Sequence, residues 1–258
     1  MGLRSSEAVV IGGHNIGEAD RIVVFYTESY GKVRAVAAGA RRIRSRFGGS
    51  LELFTHGRLV YFERANTDLH RLNEFALQQP FHTLRTSLDL LVAASEVAEL
   101  TGIAGVEGEG NGEFFSLIVE TLCGLDTGLP PSPLLRVFEI RLLKTLGYLP
   151  ELYRCVRCRG RLPEGVQSFG LGEGGLLCAS CRTEAMETLP LSPAALAFLR
   201  ASLGVRTGRD RGGLTLELSK ELQTLLHTFL EFKLGRRIRS ARFQSGILGF
   251  PLDTSTTS

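Results

Sequence analysis

No stretch of this sequence is apolar enough to span a bilayer. The most apolar long segment, Leu88 to Val106, carries Asp89, Glu96 and Glu99, and each would be costly in lipid. The N-terminal MGLRSSEAVVIGGH lacks the apolar run of an export signal. It matches the short myristoylation pattern through Gly2 and Ser6, but residues 4–11 also read as a strand. Tryptophan is absent and methionine occurs twice. Net charge is small: 30 Lys and Arg against 27 Asp and Glu leave +3. That excludes a polyanion-wrapping protein of the histone kind. Catalytic signatures are missing as well. There is no H-E-x-x-H, no G-x-S-x-G and no kinase set. His14, His56, His70, His82 and His227 form no ligand-spaced cluster. No pattern in the chain points to an enzyme.

What is present is ordinary globular material. The 258 residues are 43% hydrophobic and 22% charged, enough for one large domain or two to three small ones. Charge is unevenly placed. Residues 1–80 hold 11 basic and 8 acidic residues, residues 81–150 hold 4 and 9, residues 151–189 hold 5 and 5, and residues 190–258 hold 10 and 5. Basic charge sits at the two ends with an acidic piece between them, and such separation matters more for partner choice than the total does.

The first 80 residues read as β. Apolar runs recur at Ala8–Ile11, Arg21–Tyr26, Val33–Ala38, Leu51–Phe54, Arg58–Phe62 and Leu72–Leu77. Five or six short strands predict a small closed barrel, because an open sheet of this size leaves edges and an uncovered face. From Leu84 the period becomes helical. A first helix is expected from Leu84 to near Gly102, followed by a flexible loop from Gly105 to Gly112. A second helix carries Phe114, Leu117, Ile118 and Leu122. A third, Leu134–Leu146, follows the break PPSP at 130–133. Two more are expected at Pro193–Leu203, after a Ser192 N-cap, and at Leu216–Leu234. Cys123, in a helical apolar stretch, reads as a small core residue.

The sharpest motif is Cys155-x2-Cys158-x19-Cys178-x2-Cys181. Each C-x2-C can form a tight knuckle that aims two thiolates and backbone N–H groups at one metal, and two knuckles give the tetrahedral four-sulfur shell that suits Zn2+. Four cysteines leave no position open for water, so one structural zinc is expected rather than a catalytic one. The Gly170–Leu177 stretch reads as a hairpin leading into the second knuckle. It also satisfies G-x-G-x-x-G, but a dinucleotide site needs a βαβ unit that is not there. Gly12-Gly-His-Asn-Ile-Gly lacks the Lys-Ser/Thr of a P-loop. In the absence of an export signal, the cysteines place the protein in a reducing cytosol.

Two segments concentrate cations. Lys32, Arg34, Arg41, Arg42, Arg44 and Arg46 lie in a span with no acid between Glu28 and Glu52. Strand alternation puts Lys32 and Arg34 on one face, and Gly39–Gly49 becomes an arginine-studded loop. Such a strand and loop suit a phosphate backbone, with Phe25, Tyr26, Tyr30 and Phe47 available for base stacking. The second run, Lys233 to Arg242, includes Arg236, Arg237, Arg239 and Arg242. Complementing a helix C-terminus explains one or two of these charges but not all, so the run is a candidate second basic surface.

In order along the chain, several segments resemble the RecO family of bacterial recombination and DNA repair proteins. They are Glu18-Ala-Asp20-Arg21-Ile22-Val23 with Phe25-Tyr-Thr27; Gly39-Ala-Arg41-Arg42 with Ser45-Arg46-Phe47-Gly48-Gly49; Arg136 to Tyr148 running into Cys155; and Leu234-Gly235 with Arg239-Ser240-Ala-Arg242-Phe243. The resemblance implies an α+β multidomain protein with an N-terminal OB-fold β-barrel over residues 1–80. It further implies an α-helical domain over 81–150 and 190–245, an embedded four-cysteine zinc ribbon over 151–189, and a tail over 246–258. It implies binding of single- and double-stranded DNA, strand annealing, and help in loading RecA onto strands coated by single-strand-binding protein. The implied partners are RecR and, in many bacteria, RecF, with no membrane, in the cytoplasm at the nucleoid. A groove in the helical domain is implied to receive the acidic C-terminal tail of the single-strand-binding protein, with Arg136 as the carboxylate contact. The contrasting readings are a zinc-ribbon adaptor that binds RNA or protein, and an enzyme whose acids go unrecognised.

Overall fold

The structure is a computed structural model that describes residues 2–65, 67–204 and 214–240. Its first part is a closed five-stranded barrel of β1 (Leu3–Ile16), β2 (Asp20–Thr27), β3 (Gly31–Ala37), β4 (His56–Phe62) and β5 (Leu69–Gln79), in the order β1-β2-β3-β5-β4. The one parallel junction, β3 with β5, closes it. Strand alternation divides the side chains between two cores. Val10, Val23, Phe25, Val33, Ala35 and Leu59 fill the barrel, whereas Val9 and Tyr26 point outward into the helical core. Leu72 and Phe75, three apart on β5, both face inward because the register slips opposite Val60 and Tyr61.

Leu51–Phe54 is not a strand. Residues 38–55 form successive turns, with bonds such as Arg42 N–H to Gly39 and Ser45 N–H to Arg42. Phe47 and Leu51 plug the barrel, and Phe54, at φ 70°, turns into the helical core instead. The apolar run mimics a strand because its residues serve two different cores. Its end is pinned where β1 bulges, by Phe54 N–H to Val10 O (2.8 Å) and Val10 N–H to Thr55 O (2.9 Å).

A 3-10 turn at His82–Arg85 leads to α1 (Leu88–Ala104), α2 (Gly112–Asp126), α3 (Pro131–Thr145), α4 (Pro193–Leu203) and α5 (Leu216–Leu234). Ser87, Asn111, Ser192 and Thr215 each cap a helix by accepting a backbone N–H three residues on. Leu84 is buried in the 3-10 turn, so α1 starts after Ser87, later than periodicity predicts. Helix α3 starts earlier than predicted, because Pro131 and Pro133 sit in its first turn, where a missing N–H costs nothing. This helix is the hub of the helical part and packs on α1, α2, α4 and α5. Cys123 is exposed on α2, contrary to the core position its apolar neighbours suggest.

The barrel is fastened to the helices by aromatic contacts and by the Gly105–Gly112 segment. Tyr26 and Phe114 lie 4.9 Å apart between ring centroids. The segment, expected to be flexible, instead lies against the β2–β3 turn through Lys32 N–H to Val106 O and Gly108 N–H to Tyr30 O. The approach is so close that a Cβ on Gly31, at φ 60°, would meet Val106 O at 2.1 Å. Among the described residues, no helix is long and apolar enough to cross a membrane.

Between α3 and α4 lies a small sheet of β6 (Gln167–Gly170), β7 (Gly175–Leu177) and β8 (Thr188–Leu191) in the order β7-β6-β8. The expected hairpin is β6–β7, with Gly170 opposite Gly175. Glu151 N–H bonds to Gly174 O and Leu176 N–H to Glu151 O, which ties the hairpin to the chain leaving α3. Phe169 packs on Phe229 of α5 at 5.1 Å.

Candidate metal centre and basic surfaces

The hairpin and the turns at either side of it bring Cys155, Cys158, Cys178 and Cys181 together, with all four sulfurs within 4.8 Å of one another. Cys158 Sγ and Cys178 Sγ are 3.7 Å apart. A tetrahedron with Zn–S bonds of about 2.3 Å has edges of ~3.8 Å, so the donor set has the size and chemistry of a four-thiolate site. Burial alone would push the Cys155 thiol up. Backbone N–H groups of Cys158, Cys178 and Arg157 aimed at its sulfur bring it down to about 6 instead. Cys181 is pushed up to about 12 by hydrogen bonds with Cys178 and Cys158. Four thiols this close cannot all ionise unless a cation joins them.

The cations expected to contact phosphate occupy three settings. Lys32 and Arg34 share one face of β3, as alternation requires, but the face is occupied. Lys32 Nζ donates to Gly102 O at the end of α1 (3.3 Å), Arg34 pairs with Asp68, and Glu99 and Glu107 line the same cleft. Arg41 donates to Gly17 O and Glu18 O, both at 3.1 Å, and so braces the β1–β2 turn. Arg46 lies over the Phe47 ring at 4.8 Å. Arg42 and Arg44 are exposed on the turns that cap the barrel, beside a fully exposed Ile43. The stacking aromatics are corrected by the structure. Phe25, Tyr26 and Phe47 are buried in cores, and half-buried Tyr30 has Arg4 over its ring at 5.3 Å.

In the C-terminal run, Gly235 ends α5 at φ 63°, and Ile238 is buried between exposed Arg236, Arg237 and Arg239. Glu99 accepts the backbone N–H groups of Arg239 and Ser240, both at 2.8 Å. Arg242 lies outside the described residues.

Arg136 is not at a surface, and the structure corrects its expected role as a contact for an external carboxylate. It is 2% exposed. Its Nη2 is 3.2 Å from Glu96 Oε1 and 3.0 Å from Glu139 Oε1, and His227 Nε2 reaches the same two oxygens. The three ligand-bearing side chains have the spacing of a metal site, but the Arg136 guanidinium already supplies the cation. Burial would push Glu96 up; the His227 bond and the Arg136 charge outweigh it and hold Glu96 down at about 2. Burial would push His227 down, but Glu139 and Glu96 raise it to about 9. The local trace of this network in the sequence is the i,i+3 charge pair Arg136 and Glu139 among the apolar residues Leu135, Val137, Phe138 and Ile140 of α3. Its other members come from α1 and α5.

A closed barrel of this strand order with an arginine-bearing cap, joined to a helical bundle that carries a four-cysteine module, defines a multidomain protein built on an OB-fold. Residues 1–81 match the family model described as Recombination protein O N terminal, and residues 85–242 match Recombination protein O C terminal. The chain is similar to the DNA repair protein RecO of Anaeromyxobacter sp. (strain K), 38% identical over 236 residues that cover 91% of this chain and 93% of that one. It is 36% identical to the DNA repair protein RecO of Roseiflexus sp. (strain RS-1), over 92% of this chain and 83% of the relative. With that of Symbiobacterium thermophilum it shares 33% identity over 94% and 97%. The chain belongs to the RecO family, and its role lies in DNA repair and recombination.

Proposed function

We propose that this protein is a non-catalytic mediator that binds single- and double-stranded DNA, anneals complementary strands, and helps load RecA onto strands coated by single-strand-binding protein. It acts in the cytoplasm at the nucleoid, together with RecR and, where present, RecF. The observation that carries the reading is the barrel cap. Arg42 and Arg44 stand exposed on turns that Phe47 and Leu51 anchor in the barrel core, so two cations are held on a fixed platform and form no ion pair among the described residues. A phosphate backbone is the partner that such cations attract, and released counterions supply the affinity. Arg41 and Arg46 belong to the same cap segment, Lys32 and Arg34 line a separate cleft with Glu99 and Glu107, and Arg236, Arg237 and Arg239 offer a second basic surface. The four cysteines hold one structural Zn2+, whose binding free energy is folding free energy for the ribbon. The deciding experiment is annealing of complementary strands precoated with single-strand-binding protein. Acceleration by the protein supports the reading, and its absence together with no affinity for bare DNA overturns it.

A further inference from the structure

The first metal knuckle carries a surface that neither the zinc nor the barrel explains. From Tyr153 to Arg161 the chain reads YRCVRCRGR, four arginines with no acid among them, and Arg154, Arg157, Arg159 and Arg161 are all exposed. Arg159 is committed, with its Nη1 3.0 Å from Glu151 Oε2. Arg154, Arg157 and Arg161 form no ion pair among the described residues. Tyr153 is 61% exposed, which is unusual for a large aromatic ring, yet it is not loose. The Arg200 guanidinium backs the ring at 4.8 Å and is itself locked by two bonds to Leu152 O. Glu151 Oε1 accepts the backbone N–H of Tyr153 at 2.9 Å and of Arg154 at 3.4 Å.

We propose that Tyr153, Arg154, Arg157 and Arg161 form a second contact surface, for single-stranded nucleic acid, in which a base stacks on the open face of Tyr153 and the arginines take the flanking phosphates. The proposal rests on the DNA-binding reading above and adds a site to it. A ring with a cation behind one face and solvent before the other is a stacking platform, and base–aromatic stacking with adjacent cations is how single strands are held without sequence preference. The ring is fixed before any ligand arrives, so little ordering entropy is lost on binding. Unpaired bases fit it and a duplex does not, because paired bases present no free face. Compensation of a dianionic Zn–thiolate centre accounts for nearby positive charge, but not for an exposed, pre-positioned tyrosine. With the barrel cap, this surface gives one molecule two places to hold strands, which annealing requires.

The test uses the full-length, zinc-loaded protein and a fluorescein-labelled oligothymidylate, titrated at several salt concentrations. Tyr153→Ala is expected to weaken binding about tenfold, equivalent to ~1.4 kcal/mol, with an unchanged salt slope and unchanged zinc content. Combined Arg154→Gln, Arg157→Gln and Arg161→Gln is expected to lower the salt slope by about 2, at roughly 0.7 per phosphate contact. Parental affinity and slope in both variants would overturn the proposal. Should the arginine variant lose zinc, Tyr153→Ala alone decides. Variants that bind the oligonucleotide normally but lose affinity for a polyglutamate peptide would also overturn it, in favour of an acidic protein partner. If Arg42→Glu with Arg44→Glu weakens binding while the knuckle variants do not, only this proposal fails. A parent protein that binds no DNA defeats the function proposed above as well.

Discussion

His227 Nε2 on α5 lies 2.7 Å from Glu139 Oε1 on α3, with both side chains buried in the middle of the helical part. The contact joins residues 88 positions apart. With Glu96 and Arg136 it forms a compact set of two carboxylates, a guanidinium and an imidazole. Fully charged, the four sum to zero, a balance that Arg136 and His227 hold against burial, which pushes Glu139 up to about 7.

Removing one member breaks that balance. Arg136→Ala leaves two buried carboxylates with only His227 between them. It is expected to destabilise the protein by about 3–5 kcal/mol, read as a lower urea midpoint with an unchanged m value. A loss below about 1 kcal/mol, the scale of an exposed pair, would show that the network contributes little.

The same network makes stability depend on pH. Burial opposes the His227 imidazolium, but Glu139 and Glu96 raise its folded value to about 9, above the unfolded ~6.5. Its contribution is therefore fully present below ~6.5 and is lost as pH rises through about 9. Unfolding free energy should fall across that window in the parent and fall less in His227→Gln. Parallel pH profiles would contradict the assignment.

The ribbon should depend on the zinc proposed for its four cysteines. Cys178→Ser removes one of four sulfurs that lie within 4.8 Å of one another. It should reduce bound zinc well below one per chain and expose the β6–β7 hairpin to protease, because metal binding and folding are one process in such modules. Parental protease resistance in metal-stripped protein would show that Phe169 on Phe229 holds the ribbon unaided.

Gly31 tests the join between barrel and helices. A methyl group there meets Val106 O at 2.1 Å in a backbone conformation at φ 60°. Gly31→Ala is expected to cost about 2 kcal/mol or more. Ala at Gly17, where φ is 58° but nothing lies within 4 Å, carries the backbone penalty alone and should cost less.

Local patterns were the legible part of this molecule. Alternation placed Lys32 and Arg34 on one face, Ser192 marked the start of α4, and the C-x2-C spacing located the thiolate cluster. Patterns failed where one segment serves two cores, as at Leu51–Phe54, because burial there follows a chain of turns and not a period. They failed again where a glycine-rich stretch docks on a distant turn, as Gly105–Gly112 does on Gly31. Aromatics near the basic loop read as stacking groups, yet a barrel this small needs Phe25 and Phe47 to fill its interior. Glu96, Glu139 and His227 were invisible as a set, since the two sequence separations of 88 and 131 residues carry no local signal. Exposed Tyr153 took its meaning only from Arg200 behind it.

The barrel cap as a phosphate platform is tested most directly by the salt dependence of DNA binding in Arg42→Glu with Arg44→Glu. Both side chains are exposed and form no ion pair among the described residues, so folding should change by less than about 0.5 kcal/mol. The expected result is weaker binding of all sequences alike at low salt, with a gap to the parent that closes as salt rises. Parental affinity and parental salt slope in this variant, with the C-terminal Arg236→Glu and Arg237→Glu variant losing both, would contradict the assignment and move the platform to the end of α5.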